Sequence, residues 1–454
     1  MRRAKWLVAA LVLVLIAAAC GGDDEGGGDE TTTTAEEGDG GTDMSGADFE
    51  LLGPATGTEG DAVTGFLNVY NGETGAAITY SGLDDFEQNL RIRVDGGDPP
   101  PVAFTPQPAS ICTFADEGHL VSAEDMGMDI AQMEADHTKF WMDLGLCADG
   151  EHYGIPWFPN YKSIIFYHEP TFTAESYEIP ETYEDLVALS EQMVTDGYTP
   201  WCMGFESGDA TGWPGTDWIE DIMVRMHGGE VYGQWFRHEI PFNDERVVQA
   251  FDKFGEIMFG ENFVLGGPEG VSAIAFGESP LPLFNDPPGC LMLKQGSFIQ
   301  NFFPTDADTS IIKFFAFPTI GGQGGAMGGG DTLIVFDDDP QIVQAVKDWI
   351  TPTWGCVLAS PNGGTASEFG GHGVAGVERL PGHKDISVDC YDSEGGKILA
   401  AAVLAALAQN TFVFDASDLM PVEVGQGSFW TGMVDWTLGT SSQDVADAVE
   451  ASWP

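Results

Sequence analysis

An apolar run from Trp6 to Ala19, preceded by Arg2, Arg3 and Lys5 and stopped by Cys20, decides where a folded domain in this chain can begin. Residues 6–19 fall short of the roughly 20 that a helix needs to cross a hydrocarbon core, so the run reads as an export signal. Residues 21–47 hold almost nothing that enters a core and are rich in Gly, Thr and acid. Such a segment buries too little apolar surface to offset its ordering entropy, and at about 5–6 Å × √n it reaches roughly 30 Å. It is expected to be a disordered acidic linker, which leaves the residues from 48 onward to fold.

That body has the material for two ordinary domains: the chain is 43% hydrophobic and carries 60 Gly, 26 Pro and 12 Trp. No second apolar run is long enough to span a bilayer; the Ala-rich stretch 398–408 is too short. With 17 basic residues against 72 acidic ones the formal net charge is −55. A surface that negative repels phosphate backbones, which excludes nucleic acid as a partner, and it disfavours anionic solutes and lipids.

The small residues before Cys20 resemble a bacterial lipobox. The resemblance implies that 1–20 is a lipoprotein signal peptide and that Cys20 becomes a lipid-bearing N-terminus on the outer face of the cell membrane. Six further cysteines remain: Cys112, Cys147, Cys202, Cys290, Cys356 and Cys390. An even number in an exported chain points to three disulfides, and six cysteines allow fifteen connectivities that sequence cannot choose between. Pairing of sequence neighbours gives 112–147 and 356–390, with 202–290 closing the long loop between them. No Cys/His spacing indicates zinc, and no metal or cofactor is expected.

The body alternates strands and helices. A helix turning Phe66, Val69 and Tyr70 inward ends near Gly72–Gly75, and a strand follows over 77–80. Pro99-Pro100-Pro101 leads into a strand at 102–105 that exits into the stiff loop Pro106-Gln107-Pro108. The clearest helix spans 183–196, with Thr182 as cap, Asp185 at the capping-box position and Leu186, Leu189 and Met193 at helical spacing. Another starts at Pro340. Strands are expected at 163–167, 311–317 and 332–336, so the pattern argues for parallel sheets flanked by helices.

Gly154-Ile155-Pro156-Trp157, then Ile164-Ile165-Phe166-Tyr167, then Ile179-Pro180-Glu181-Thr182-Tyr183-Glu184-Asp185-Leu186 resemble the family 1 solute-binding proteins of carbohydrate ABC importers. The likeness continues through the segment from Ala210 to Trp218, Gln295-Gly296-Ser297-Phe298, Gly328-Gly329-Gly330-Asp331 and Ser428-Phe429-Trp430, and is greatest to the α-glucoside-binding branch. It implies an α/β, two-lobed, periplasmic-binding-protein-like fold of type II with the ligand cleft between the lobes. Lobe 1 is expected over 48–157 with 319–358 and lobe 2 over 158–304 with 371–454, with crossings near 157–160, 304–319 and 358–371. It further implies a monomer that binds a neutral sugar, an α-glucoside or related oligosaccharide, and hands it to the transmembrane subunits of an ABC permease.

A sugar offers apolar C–H faces and a ring of hydroxyls, so its site combines flat aromatic platforms with carboxylates and amides. Trp213, Asp217 and Trp218 supply both within a Gly- and Pro-bearing loop, and Trp430 adds a platform. Gln107 donates and accepts from its proline-stiffened loop. Asp84 and Asp85 stand at a helix start, where capping competes with ligand contact. Tyr161 and Lys162 lie beside a crossing. Gly330 and Asp331 end a glycine run, 321–330, read as a flexible loop bordering the cleft; an acid follows where a nucleotide loop needs Gly-Lys-Ser/Thr.

Two other functions compete. A lipid-anchored glycoside hydrolase needs two carboxylates at about 5–5.5 or 6.5–9.5 Å, which 72 acids neither supply nor deny by sequence; no Gly-x-Ser-x-Gly elbow or zinc-protease helix occurs. A binding protein for a cationic solute such as a polyamine also suits aromatic walls and an acidic field. The reading adopted is a binding protein and not an enzyme.

Overall fold

The computed structural model describes residues 44–454 apart from 84, 138, 305, 360–378, 381, 392–393 and 410–411. The lipobox with Cys20, the linker up to residue 43, Asp84 and the crossing placed at 358–371, beyond its first residues, lie outside the described residues; the end of the stretch expected to be linker is instead folded, with Met44 and Ala47 1% and 3% exposed in the core of the larger sheet and the Met44 amide donating to the Thr74 carbonyl at 2.9 Å.

Among the described residues nine strands form two sheets. The larger contains β1 (Glu50–Gly53), β2 (Thr79–Gly82), β3 (Val102–Thr105), β4 (Ile155–Tyr161), β8 (Ala326–Val335) and β9 (Phe412–Phe414), in the order β2-β1-β3-β8-β4 with β9 beside β8. The smaller is β6 (Met292–Lys294), β5 (Ile164–His168) and β7 (Ile312–Ala316). β1 pairs in parallel with β2 and β3, as βαβ units require, but β8 runs antiparallel to both β3 and β4, and the smaller sheet is antiparallel throughout. The expectation of parallel sheets therefore holds for β1, β2 and β3 and is corrected for β8 and for the smaller sheet. β8 joins the larger sheet after the chain has built the smaller one and runs against β3 and β4, while β9 pairs with β8 in parallel.

The expected strand at 332–336 is the end of a longer one, because the glycine run does not stay a loop. Gly328, Gly329 and Gly330 pair with Tyr161, Asn160 and Pro159 inside β8, and a Cβ on Gly330 would sit 2.1 Å from the Trp141 ring. Glycine is there for close packing of strand against indole.

Of the buried clusters, two match the two sheets. One gathers Leu51, Val63, Phe66, Val102, Trp157, Leu333 and Trp349 around the larger sheet. The other gathers Trp201, Trp218, Ile222, Trp235, Phe251, Phe254, Phe429 and Trp436 around the helices that cover the smaller one. The helix Tyr183–Thr195 is capped as its sequence implies, the Thr182 hydroxyl accepting from the Asp185 amide at 3.1 Å. Cys112–Cys147, Cys202–Cys290 and Cys356–Cys390 are bridged, each with Cα atoms 5.4 Å apart, the neighbour pairing expected above. Among the described residues no helix is long and apolar enough to cross a membrane.

Candidate functional site

A cavity of about 580 Å³ opens where elements of the two cores face each other. From the larger sheet's side come Glu59, at the start of the helix Gly57–Thr74, Gln107 after β3, Asn160 at the end of β4, and Gly330 and Asp331 on β8. From the other side come Trp213, Phe298, Asp415, Asp418 and Trp430, while Lys162 enters between β4 and β5. Arg379 completes the wall.

Trp213 is the first residue of the helix Trp213–Phe236, followed by Pro214. The stretch read as a loop is thus a helix start, which suits Pro at the first turn. Helical spacing then sorts its residues, since each step turns about 100°. Asp217, four residues on, shares Trp213's side; Trp218, five on, faces away and stacks on Phe254 at 4.7 Å between ring centroids. Trp218 therefore belongs to the core and not to the cavity wall. Gly212, with φ 116°, permits the second platform to approach: a Cβ there would lie 2.0 Å from the Trp430 carbonyl.

Lys162 is buried, and its Nζ donates to Asp217 Oδ1 at 2.9 Å and Asp415 Oδ2 at 2.6 Å, 5.0 Å from the Trp213 ring centroid. Burial works to raise Asp415, but the Lys162 ammonium and hydrogen bonds from Lys162 and Ser417 hold its carboxyl at about 2. Burial lifts Asp217 to about 7 despite the same ammonium. Ser417 Oγ donates to Asp415 Oδ1 at 2.7 Å and accepts from Trp430 Nε1 at 3.3 Å, which aligns the second indole with the acid turn.

On the opposite wall Arg379 pairs with Glu59 at 3.1 Å and lies 4.3 Å from the Phe158 centroid. Its Nε and Nη2 find no hydrogen-bond partner among the described residues. Burial raises Asp331 to about 7, Arg379 and Lys162 opposing and Glu59 reinforcing the shift. The cavity thus presents indole faces, buried carboxyls, two amides and two cations, the donor and acceptor set that hydroxyls satisfy.

Of the residues singled out from sequence, Gln107, Lys162, Trp213, Gly330, Asp331 and Trp430 line this cavity. Asp217 stands behind it, holding Lys162. Tyr161 packs into a third buried cluster with Ile164 and Phe414, and Asp85 is exposed at the start of the helix Phe86–Asp95, outside the lining. Sequence reasoning missed Glu59, Asp415, Asp418 and Arg379. Rarity was the available signal for Arg379, one of only 17 cations facing 72 acids.

The model of the family described as bacterial extracellular solute-binding protein matches residues 54–351. The chain belongs to this family. Among curated relatives of this solute-binding protein, the osmoprotective compounds-binding protein GgtB of Synechocystis sp. is 37% identical over 406 residues, covering 89% of the chain and 92% of the relative. The alpha-glucosides-binding periplasmic protein AglE of Rhizobium meliloti is 36% identical over 436 residues, covering 92% and 89%. The solved structure of the bacterial solute receptor AcbH superposes with TM-score 0.72 at 17% identity, over 89% of this chain and 98% of that one. Maltose-bound MalE3 of T. maritima gives 0.67 at 13%, over 89% and 98%. The fold is accordingly the two-lobed α/β architecture of extracellular binding proteins.

Proposed function

We propose that this solute-binding protein captures a neutral sugar, an α-glucoside or related oligosaccharide, and delivers it unaltered to the transmembrane subunits of an ABC permease. The observation that carries the reading is the pairing of Trp213 and Trp430 with Asp331, Asp415 and Gln107 around one cavity, in a chain 36% identical to an α-glucoside-binding relative over nearly its whole length. About 580 Å³ lies within the usual range for small-molecule sites. Lobes built from 48–157 with 319–358 and from 158–304 with 371–454 close on the sugar, which removes water from its hydroxyls and gives the permease a shape to sense. Lipid on Cys20 and the linker that follows it up to about residue 43 tether the protein, a monomer, at the outer face of the membrane. An affinity near micromolar, roughly −8 kcal/mol, suffices for capture and release.

Tryptophan fluorescence titration against maltose, trehalose, sucrose and raffinose, with spermidine alongside, tests this. Saturable binding of one of the sugars, recovered intact by chromatography, supports the reading. Binding of spermidine alone transfers the cavity to cationic solutes, and cleavage of the sugar transfers it to hydrolysis.

A further inference from the structure

The helix Trp213–Phe236 carries polar side chains on a face that is fully buried. Asp217, Glu220, Asp221 and Arg225 are each 2% exposed or less, and their spacing of three and four places them along one side. Buried polar groups on that scale are costly unless each is satisfied, so their partners are informative.

The partners are the segments by which the chain passes between the two sheets. Between β4 and β5, Lys162 donates to Asp217 and the Ser163 hydroxyl donates to Asp221 Oδ1 at 2.5 Å. Between β7 and β8, Arg225 Nε donates to the Pro318 carbonyl at 3.1 Å, and Nη2 donates to the carbonyls of Phe317 at 3.3 Å and Gly325 at 3.0 Å. One guanidinium holds both ends of the glycine-bearing turn. After β9, the Glu220 carboxyl accepts from the amides of Ala416 at 2.9 Å and Ser417 at 3.1 Å, while the Tyr232 hydroxyl donates to the Phe414 carbonyl at 2.8 Å. The Met327 amide donates to Ser163 Oγ at 2.8 Å, tying the first two passages together. Asp221 holds Arg225 and also pairs with Lys294 at 3.0 Å.

We infer that Arg225 and Asp221 are positioning residues that set the resting angle between the lobes, and through it the fraction of molecules competent to hold a solute, without touching that solute. Lobe rotation has to be absorbed by backbone dihedrals in the passages. A planar guanidinium bound to three carbonyls there fixes their directions, and lysine lacks the fork to replace it. Apparent affinity scales with the competent fraction, so a shifted angle is read as a shifted dissociation constant. The same helix begins at Trp213 in the cavity wall and carries Asp217 to Arg225 before the non-helical Gly228 (φ 79°) breaks it ahead of Tyr232, so solute contact and the grip on the first two passages share one helical segment.

The inference rests on the proposal that the lobes close on a solute, and its test begins without one. Spin labels at Asp98→Cys on the first lobe and Glu191→Cys on the second report the interlobe distance in the full chain. In ligand-free Arg225→Lys and Asp221→Asn the distribution is expected to shift or broaden, and the maltose dissociation constant to change about tenfold. A distribution superimposable on the parent with only a lowered melting temperature overturns the inference. Ser163→Ala, which removes the hydroxyl that donates to Asp221 and accepts from the Met327 amide, is the mild variant if both others fail to fold: a smaller shift supports the inference and an unchanged distance sinks it. If maltose and the other sugars fail to bind the parent protein, the solute reading falls, while the ligand-free distances still decide the role of Arg225.

Discussion

At the scale of single residues, the cavity is governed by which polar groups burial leaves charged. Replacing Trp213 or Trp430 with Ala is expected to weaken sugar binding at least about tenfold, since the stacking area of an indole face is lost; isothermal titration calorimetry measures it. Asp331 holds its proton up to about 7 in the folded protein, whereas the unfolded chain releases it near 3.8. The native state therefore binds more protons over that interval, and this residue lowers stability as pH climbs through it. Asp331→Asn is expected to show a smaller fall in melting temperature between about pH 5 and about pH 8 than the parent. Lys162→Met leaves Asp217 and Asp415 buried without their cation, a loss of about 3–5 kcal/mol measurable by urea unfolding.

Among elements, local chemistry and tertiary demand part company in a readable way. The helix Tyr183–Thr195 follows its capping box, and Thr182→Ala should cost it about 1 kcal/mol in denaturant unfolding. The stretch from Ala210 to Trp218 looks like a loop because Gly and Pro punctuate it, yet Pro214 sits where a helix start tolerates it. That one change of state carries Trp218 into the core. The run 321–330 misleads for the opposite reason: three of its glycines are strand residues chosen for lack of a side chain, and composition cannot distinguish a glycine needed for flexibility from one needed for close packing.

For the whole molecule, function depends on two cores meeting across a cavity neither contains alone. Binding is expected to contract the protein, so small-angle scattering should give a smaller radius of gyration with saturating sugar than without it. Cys20→Ser is expected to release the protein from the membrane fraction into the medium if the tether is lipid, which cell fractionation checks.

Taken alone, the amino-acid order pointed to an export-like leader and determined what rests on neighbours in the chain: the Thr182 cap, the strand at 102–105, the strand at 163–167 to within one residue, and the ordered motifs that mark the family. It also pointed to Trp213, Trp430, Lys162 and Asp331, whose residue types suit a sugar wherever they stand. Tertiary structure alone decided the rest. Glu59 and Arg379 are 320 positions apart, and Lys162 meets Asp415 across 253; such contacts come from packing two sheets and turning a helix, and no local pattern encodes them. For the same reason the grip of Arg225 on three distant carbonyls has no signature in its own segment.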